Sequence, residues 1–235
     1  MARIGLLVPS SNTTVEPEFY RALPREVTLH TARLFLTQIS PDSILRMVQD
    51  METQAGLLAS ADVDVIVLGA TAPSFLKGLG YDRELIAKIM AATGKPATTT
   101  TTALVEALKH VGAKRVVLGS AYDDKVNAIA KQFLEASGFE VLDAQGLGLV
   151  DNLVVGRLSA DTAYDLAMKV NRADADAIVL SCTNWRTMEV IDRIEKATGR
   201  PVLSTTQVSV WAALRMTGWT KPIEGYGRLL ARMAD

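Results

Sequence analysis

The sequence has one cysteine, two histidines and no long apolar run. A single cysteine excludes a disulfide within the chain, so Cys182 reads as a free thiol and the protein as cytoplasmic. His30 and His110 have no neighbours at metal-ligand spacing, and no metal site is expected. GxGxxG and Walker sequences are both missing, and the run Thr98–Thr102 has neither the glycines nor the lysine of a phosphate loop. No cofactor is therefore expected. An excess of one charge is also lacking, with 25 Lys+Arg against 26 Asp+Glu and a net charge of −1. No clustered positive face is available for nucleic acid or an anionic membrane, and neither is expected as a partner. The apolar stretch Ile4–Val8 is too short for a signal-peptide core or a membrane span, and it suits a buried strand.

What is present is apolar and regularly spaced. Hydrophobic residues make up 49% of the 235, enough for a large core. Short β-rich runs fall at Ile4–Val8, Val63–Leu68, Arg115–Gly119, Ala177–Leu180 and Val202–Ser204, with weaker ones at Val27–Arg33 and Glu140–Asp143. Runs that are apolar throughout suit parallel strands buried on both faces. Between them lie helical patterns at Pro41–Ala59, Asp82–Ala92, Thr101–His110, Asp123–Ala136, Ala160–Asn171 and Asn184–Ala197. Gly94, Gly112, Gly138 and Gly199 sit where helices should end. The alternation predicts an α/β fold of parallel sheets flanked by helices.

The chain also repeats itself. ARIGLLVPS (2–10) resembles KRVVLGSAY (114–122), and DVDVIVLGAT (62–71) resembles ADAIVLSCT (175–183), both at an offset of 112. ATGKP (92–96) pairs with ATGRP (197–201), and TTTALVEAL (100–108) with TTQVSVWAAL (205–214), at an offset of 105. This predicts two pseudo-symmetric Rossmann-like lobes, one formed by residues 1–112 with 205–235 and the other by 113–204, with the active site between them. Ligands in such sheets sit beyond the carboxyl ends of the strands.

Candidate residues follow from that rule. Cys182 ends a buried strand and is followed by Thr183, Asn184 and a helical pattern, so a helix N-terminus is expected to lower its pKa and speed its alkylation. The plainer reading of a lone cysteine is a small buried hydrophobe. Ala70 is its counterpart in the first half and has no ionisable group. Thr71 and the backbone N–H of Ala72 offer donors for a carboxylate, although Thr71 reads equally as a helix N-cap. Asn12, in the cluster Ser10–Thr14, supplies an amide at a third strand end, while Thr13 and Glu16 fit a capping box. Tyr122 follows the equivalent strand of the second half, and Asn152 is polar in an apolar stretch. Ile39–Asp42 and Leu76–Arg83 carry the turn residues of lids.

VPSSNTTVEPEFY, ATAPSFLKG, SAYDD, DNLVVG and SCTNWRT, in this order, resemble the maleate cis-trans isomerase and arylmalonate decarboxylase branch of the aspartate/glutamate racemase superfamily. NTT and DN bring the chain nearer the isomerases. The resemblance implies a homodimer of two-lobed subunits that bind a small dicarboxylate between the lobes without a cofactor. It implies maleate-to-fumarate chemistry in which a first-lobe cysteine adds to the double bond and a second-lobe cysteine, here Cys182, exchanges a proton. It also implies that Asn12, Tyr122 and Asn152 contact substrate, with Thr71, Ala72 and Thr183 beside them. The departure is Ala70, which stands where an isomerase of this kind has its first cysteine. Either it replaces a natural cysteine or the chain is a one-cysteine member, as arylmalonate decarboxylases are.

Overall fold

A computed structural model describes residues 1–233. The first half runs β1 (Ala2–Pro9), α1 (Val15–Ala22), β2 (Val27–Leu34), α2 (Pro41–Gln49), α3 (Met51–Ser60), β3 (Val65–Leu68), α4 (Thr71–Phe75), α5 (Tyr81–Thr93), β4 (Ala97–Thr99) and α6 (Thr100–His110). The second runs β5 (Arg115–Tyr122), α7 (Asp124–Ala136), β6 (Glu140–Leu149), α8 (Asn152–Gly156), α9 (Ala160–Val170), β7 (Ala177–Ser181), α10 (Ile191–Thr198), β8 (Val202–Ser204), α11 (Thr205–Met216) and α12 (Gly227–Ala231). The strands form two four-stranded sheets, ordered β2-β1-β3-β4 and β6-β5-β7-β8. Every pairing is parallel. β3 and β7 are buried along their whole lengths, as central strands covered on both faces must be.

The internal repeat extends to individual hydrogen bonds. The Arg3 N–H donates to the Asp64 carboxylate at 2.7 Å, and the Arg115 N–H donates to the Asp176 carboxylate at the same distance. Ile66 and Ile178 each donate an N–H to the carbonyl of a proline, Pro96 and Pro201. Thr93 and Thr198 bond back to the carbonyls of Ile89 and Ile194. Gly94 (φ +67°) and Gly199 (φ +73°) close the helices that precede those prolines, each in the left-handed conformation. The two halves meet along α6 and α11, where the hydroxyls of Thr100 and Ser209 bond at 3.0 Å.

Three expectations need correction. Pro41–Ala59 is two helices, because the chain turns at Asp50 (ψ 1°) between α2 and α3. β6 runs on to Leu149, six residues past the expected end, through two register shifts against β5. The helix expected from Asn184 does not start there. A turn follows Cys182, then a 3₁₀ turn at Met188–Val190, and α10 begins only at Ile191.

Replacing Gly94 or Gly199 by alanine should cost about 1–2 kcal/mol each, the penalty of a Cβ in the left-handed region. Urea unfolding should show similar losses at these twin positions. A loss at one position alone would mean that the two helix ends are not equivalent.

Candidate active site

The carboxyl ends of β1, β3, β5 and β7 converge where the halves meet. The loop after β1 presents Asn12, which is buried. Its Oδ1 accepts from the N–H groups of Thr14 (2.9 Å) and Val15 (3.0 Å), capping α1. Its Nδ2 crosses to the other half and donates to Thr183 Oγ1 at 3.2 Å. The Thr13–Glu16 capping box does not form, because both partners are taken elsewhere. The Thr13 N–H donates to Asn184 Oδ1 at 2.9 Å, and Glu16 accepts from Arg33 at 2.7 Å. The Arg33 guanidinium also donates to the carbonyls of Ser10 and Asn12, pinning the loop from outside.

Asn152 begins α8, and its Nδ2 donates to Ser11 Oγ at 2.8 Å. Its carbonyl accepts from Asn184 Nδ2 at 2.6 Å. Thr183 Oγ1 donates to the Gly69 carbonyl at 3.1 Å, one residue before Ala70. Asn184 therefore ties three segments together, a role that no sequence periodicity signals. Its place in SCTN, two residues after the thiol, was the only hint.

Cys182 sits just past β7, its N–H donated to Thr205 Oγ1 at 3.1 Å. Its φ of +154° is a strained value for a residue with a Cβ. Ala70, its counterpart, has a relaxed extended backbone (φ −142°, ψ 121°). Burial pushes the Cys182 thiol up to about 11; the N–H groups of Asn184 and Trp185 and the Tyr122 phenol pull weakly the other way. The expected lowered pKa is thus reversed. The helix that was to supply partial positive charge starts too far along the chain, and desolvation outweighs the nearby donors.

Tyr122 ends β5, and its phenol faces Cys182, Thr71 and Ser181. Burial, and then the neighbouring thiol, hold its pKa well above the usual phenol value. Its ring packs edge-on against Phe75, with centroids 6.3 Å apart. Thr71 is not the N-cap of α4. That position belongs to Ala70, and Thr71 Oγ1 is buried without a hydrogen-bond partner of good geometry. A buried hydroxyl left unpaired beside a cavity is available to a ligand.

All eight residues singled out from the sequence line one cavity: Asn12, Ala70, Thr71, Ala72, Tyr122, Asn152, Cys182 and Thr183. Asn184 joins them on the polar side, and Pro9, Leu36, Ile39, Ile44 and Pro73 form an apolar wall that the sequence reading missed. No charged side chain lines it. The cavity is partly open to the surface, and about 30 Å³ of it is open to the centre of a water-sized sphere. Of the two expected lids, the segment at Ile39–Asp42 borders the cavity through Ile39, and Leu76–Arg83 does not. The cleft is closed there by a bond from the Ile39 N–H to the Val150 carbonyl at 3.0 Å. Among the described residues no three His, Cys, Asp or Glu side chains are placed to hold a metal ion. Among the described residues no helix is long and apolar enough to cross a membrane. The arrangement can deliver a proton from a neutral thiol to one face of a small anion held by neutral donors.

Comparison with known proteins identifies the same overall architecture. A family model described as arylmalonate decarboxylase matches residues 4–230. The chain is 29% identical to a maleate isomerase of Pseudomonas putida, over 97% of each chain. It is 30% identical to an arylmalonate decarboxylase of Bordetella bronchiseptica, over 96% of this chain and 95% of that one. The crystal structure of the maleate isomerase Iso from Pseudomonas putida S16 superposes with a TM-score of 0.95 at 28% identity, covering 99% of both chains.

A thiol held near 11 is almost wholly protonated at neutral pH. Iodoacetamide should therefore modify Cys182 more slowly than a free cysteine at pH 7, with a rate rising about tenfold per pH unit. Succinate or maleate should slow it further. Rapid alkylation at pH 7 that neither diacid slows would place the sulfur outside the cavity.

Proposed function

Because the chain belongs to the arylmalonate decarboxylase family, we propose that it is a cofactor-free enzyme of the maleate cis-trans isomerase type, acting on a small dicarboxylate with Cys182 as its proton donor. One observation carries this reading: Cys182 and Ala70, the twin positions of the internal repeat, line the same cavity between the two sheets. Substrate carboxylates would be held by Asn12, Asn152, Tyr122 and the free hydroxyl of Thr71, with the backbone of Ala72 and Thr183 beside them. The neutral thiol suits delivery of a proton to a carbanion or enediolate as it forms.

Isomerisation of this type has two halves. A nucleophile adds to one alkene carbon while an acid protonates the other; the new single bond rotates, and elimination returns both groups. Cys182 serves the acid half. At the position for the nucleophile this chain has the methyl group of Ala70, which cannot add to a double bond. That same methyl supports a second reading, a one-thiol decarboxylase. There a malonate-type acid loses carbon dioxide beside the apolar wall, and Cys182 protonates the resulting enediolate on one face.

A homodimer and a cytoplasmic location remain part of this proposal. A lone thiol suits a reducing compartment, and sedimentation at twice 25.3 kDa would support the dimer. The division into residues 1–112 with 205–235 and residues 113–204 is supported by α11, which packs on α1, α6 and β3. α12 lies against α10 and β8, which favours assigning it to the other lobe.

Supplying a thiol opposite Cys182 is the direct test. Ala70→Cys should raise fumarate formation from maleate well above that of the native chain, and adding Cys182→Ser should lower it by roughly 10²–10⁴-fold. No fumarate from Ala70→Cys would overturn the isomerase reading. Carbon dioxide release from an arylmalonate by the native chain, lost in Cys182→Ser, would establish the second.

A further inference from the structure

Glu18, in α1, is 1% exposed and lies where α1 meets both the turn before α10 and α11. Its Oε1 accepts from the N–H groups of Thr187 (3.0 Å) and Met188 (3.1 Å). Its Oε2 has no partner, and the buried hydroxyls of Thr187 and Thr206 are also unpaired. Thr206 stands beside the carboxyl. No cation lies within ion-pair distance of Glu18 among the described residues. Arg21, one turn on, reaches Glu189 instead at 3.8 Å, and the Tyr226 phenol donates to the Arg21 carbonyl. Glu189 adds a like charge nearby. This carboxyl touches no residue of the cavity, and the chemistry above does not use it.

Two short routes lead from it to the thiol. One is the turn from Thr187 back to Cys182. The other is α11, where Thr205, next to Thr206, accepts the Cys182 N–H. We propose that Glu18 is a positioning residue for Cys182: its carboxyl holds the turn at residues 183–188 across the contact between the halves, and acquiring a negative charge loosens that hold.

The reason is what each protonation state can satisfy. A neutral carboxylic acid keeps Oε1 as acceptor for both N–H groups and uses its O–H on the Thr206 hydroxyl. The anion is favoured by the two N–H groups and the Thr206 hydroxyl, but with no counter-ion the cost of burial outweighs them, and relieving that cost means parting α1 from the turn. Burial raises the Glu18 carboxyl to about 7, so the change falls near neutrality. Its folded value lies above the unfolded one. The stability it contributes is thus complete below the ordinary carboxylate range and is lost as pH rises through about 7.

The inference rests on Cys182 being the reactive group proposed above, but its test reads the sulfur directly. Since Cys182 is the only cysteine, iodoacetamide labelling followed by intact mass reports on it alone. In Glu18→Gln the rate should follow thiolate formation across neutral pH. In the native chain it should show an additional severalfold rise centred near pH 7. Thr206→Val, which removes a hydroxyl that favours the carboxylate, should move that rise to higher pH. A native-to-Gln ratio that stays flat with pH overturns the proposal. Should Glu18→Gln fold poorly, amide exchange in the native chain decides. Protection of the Thr187 and Met188 N–H groups should fall as pH passes about 7 after correction for intrinsic exchange, and constant protection overturns it. Absence of turnover on every dicarboxylate would defeat the functional reading and leave these measurements intact.

Discussion

The set of bonds between the loop after β1 and the turn after β7 makes two separate sheets into one site. Each sheet satisfies its own backbone, and neither needs the other for its ladders. What fixes them together at the cavity is polar: Asn12 to Thr183, Thr13 and Thr14 to Asn184, Asn184 to Asn152, and Asn152 to Ser11. All are buried or half-buried, so each group would cost about 1–3 kcal/mol if left unpaired. A shift of one half against the other would leave several of them unpaired at once. The cleft geometry is therefore specified by satisfaction of polar groups, while hydrophobic burial specifies the sheets. The close approach of Gly156 shows how little room the junction has. A Cβ there would lie 2.6 Å from Thr13 Oγ1 and 3.1 Å from both amide atoms of Asn184.

The two halves share their framework and differ at its working end. Aspartate to backbone, proline carbonyl to strand, and threonine to helix carbonyl all recur at matched positions. At the twin residues the repeat breaks twice, in chemistry and in backbone. Cys182 carries the sulfur on a strained backbone, and Ala70 carries a methyl on a relaxed one. Strain that survives at one member of an equivalent pair is held by its surroundings. Here those are the Thr205 hydroxyl on the Cys182 N–H and the turn that follows.

Much of this was legible in the sequence, for identifiable reasons. Parallel strands buried on both faces read as unbroken apolar runs, so β1, β3, β5, β7 and β8 were visible. The glycines after the helices and the repeat at two offsets disclosed the pairing of halves. Placement at strand ends, the polarity of Asn152 in an apolar stretch and the family resemblance together point to eight cavity residues. What stayed hidden depends on contacts between distant segments. Leu36, Ile39 and Ile44 look like any apolar residues until the 35–44 segment folds over the cleft. Asn184 looks like a helix N-cap, and its pattern of apolar neighbours extends a helix that in fact begins at Ile191. The same mistake propagated into the expected pKa of Cys182. A helical pattern nearby in sequence is not a helix dipole nearby in space, and the cost of burial, which only packing reveals, sets the sign.

That sign has a consequence for which chemistry position 182 can serve. A dicarboxylate entering a cavity lined by no cation brings negative charge next to the thiol, and like charge raises an acid's pKa further. The substrate thus reinforces the protonated state of Cys182. A nucleophilic sulfur needs the opposite environment, one in which a thiolate survives beside the anion it attacks. The two roles exclude each other at one residue and favour assigning them to opposite walls. On this account position 182 can keep its role whether the opposite wall carries a sulfur or a methyl, because a carbanion can be generated there by addition or by loss of carbon dioxide. On the proposed reading the two reactions would differ in the partner at position 70, while Cys182 would act as the acid in both.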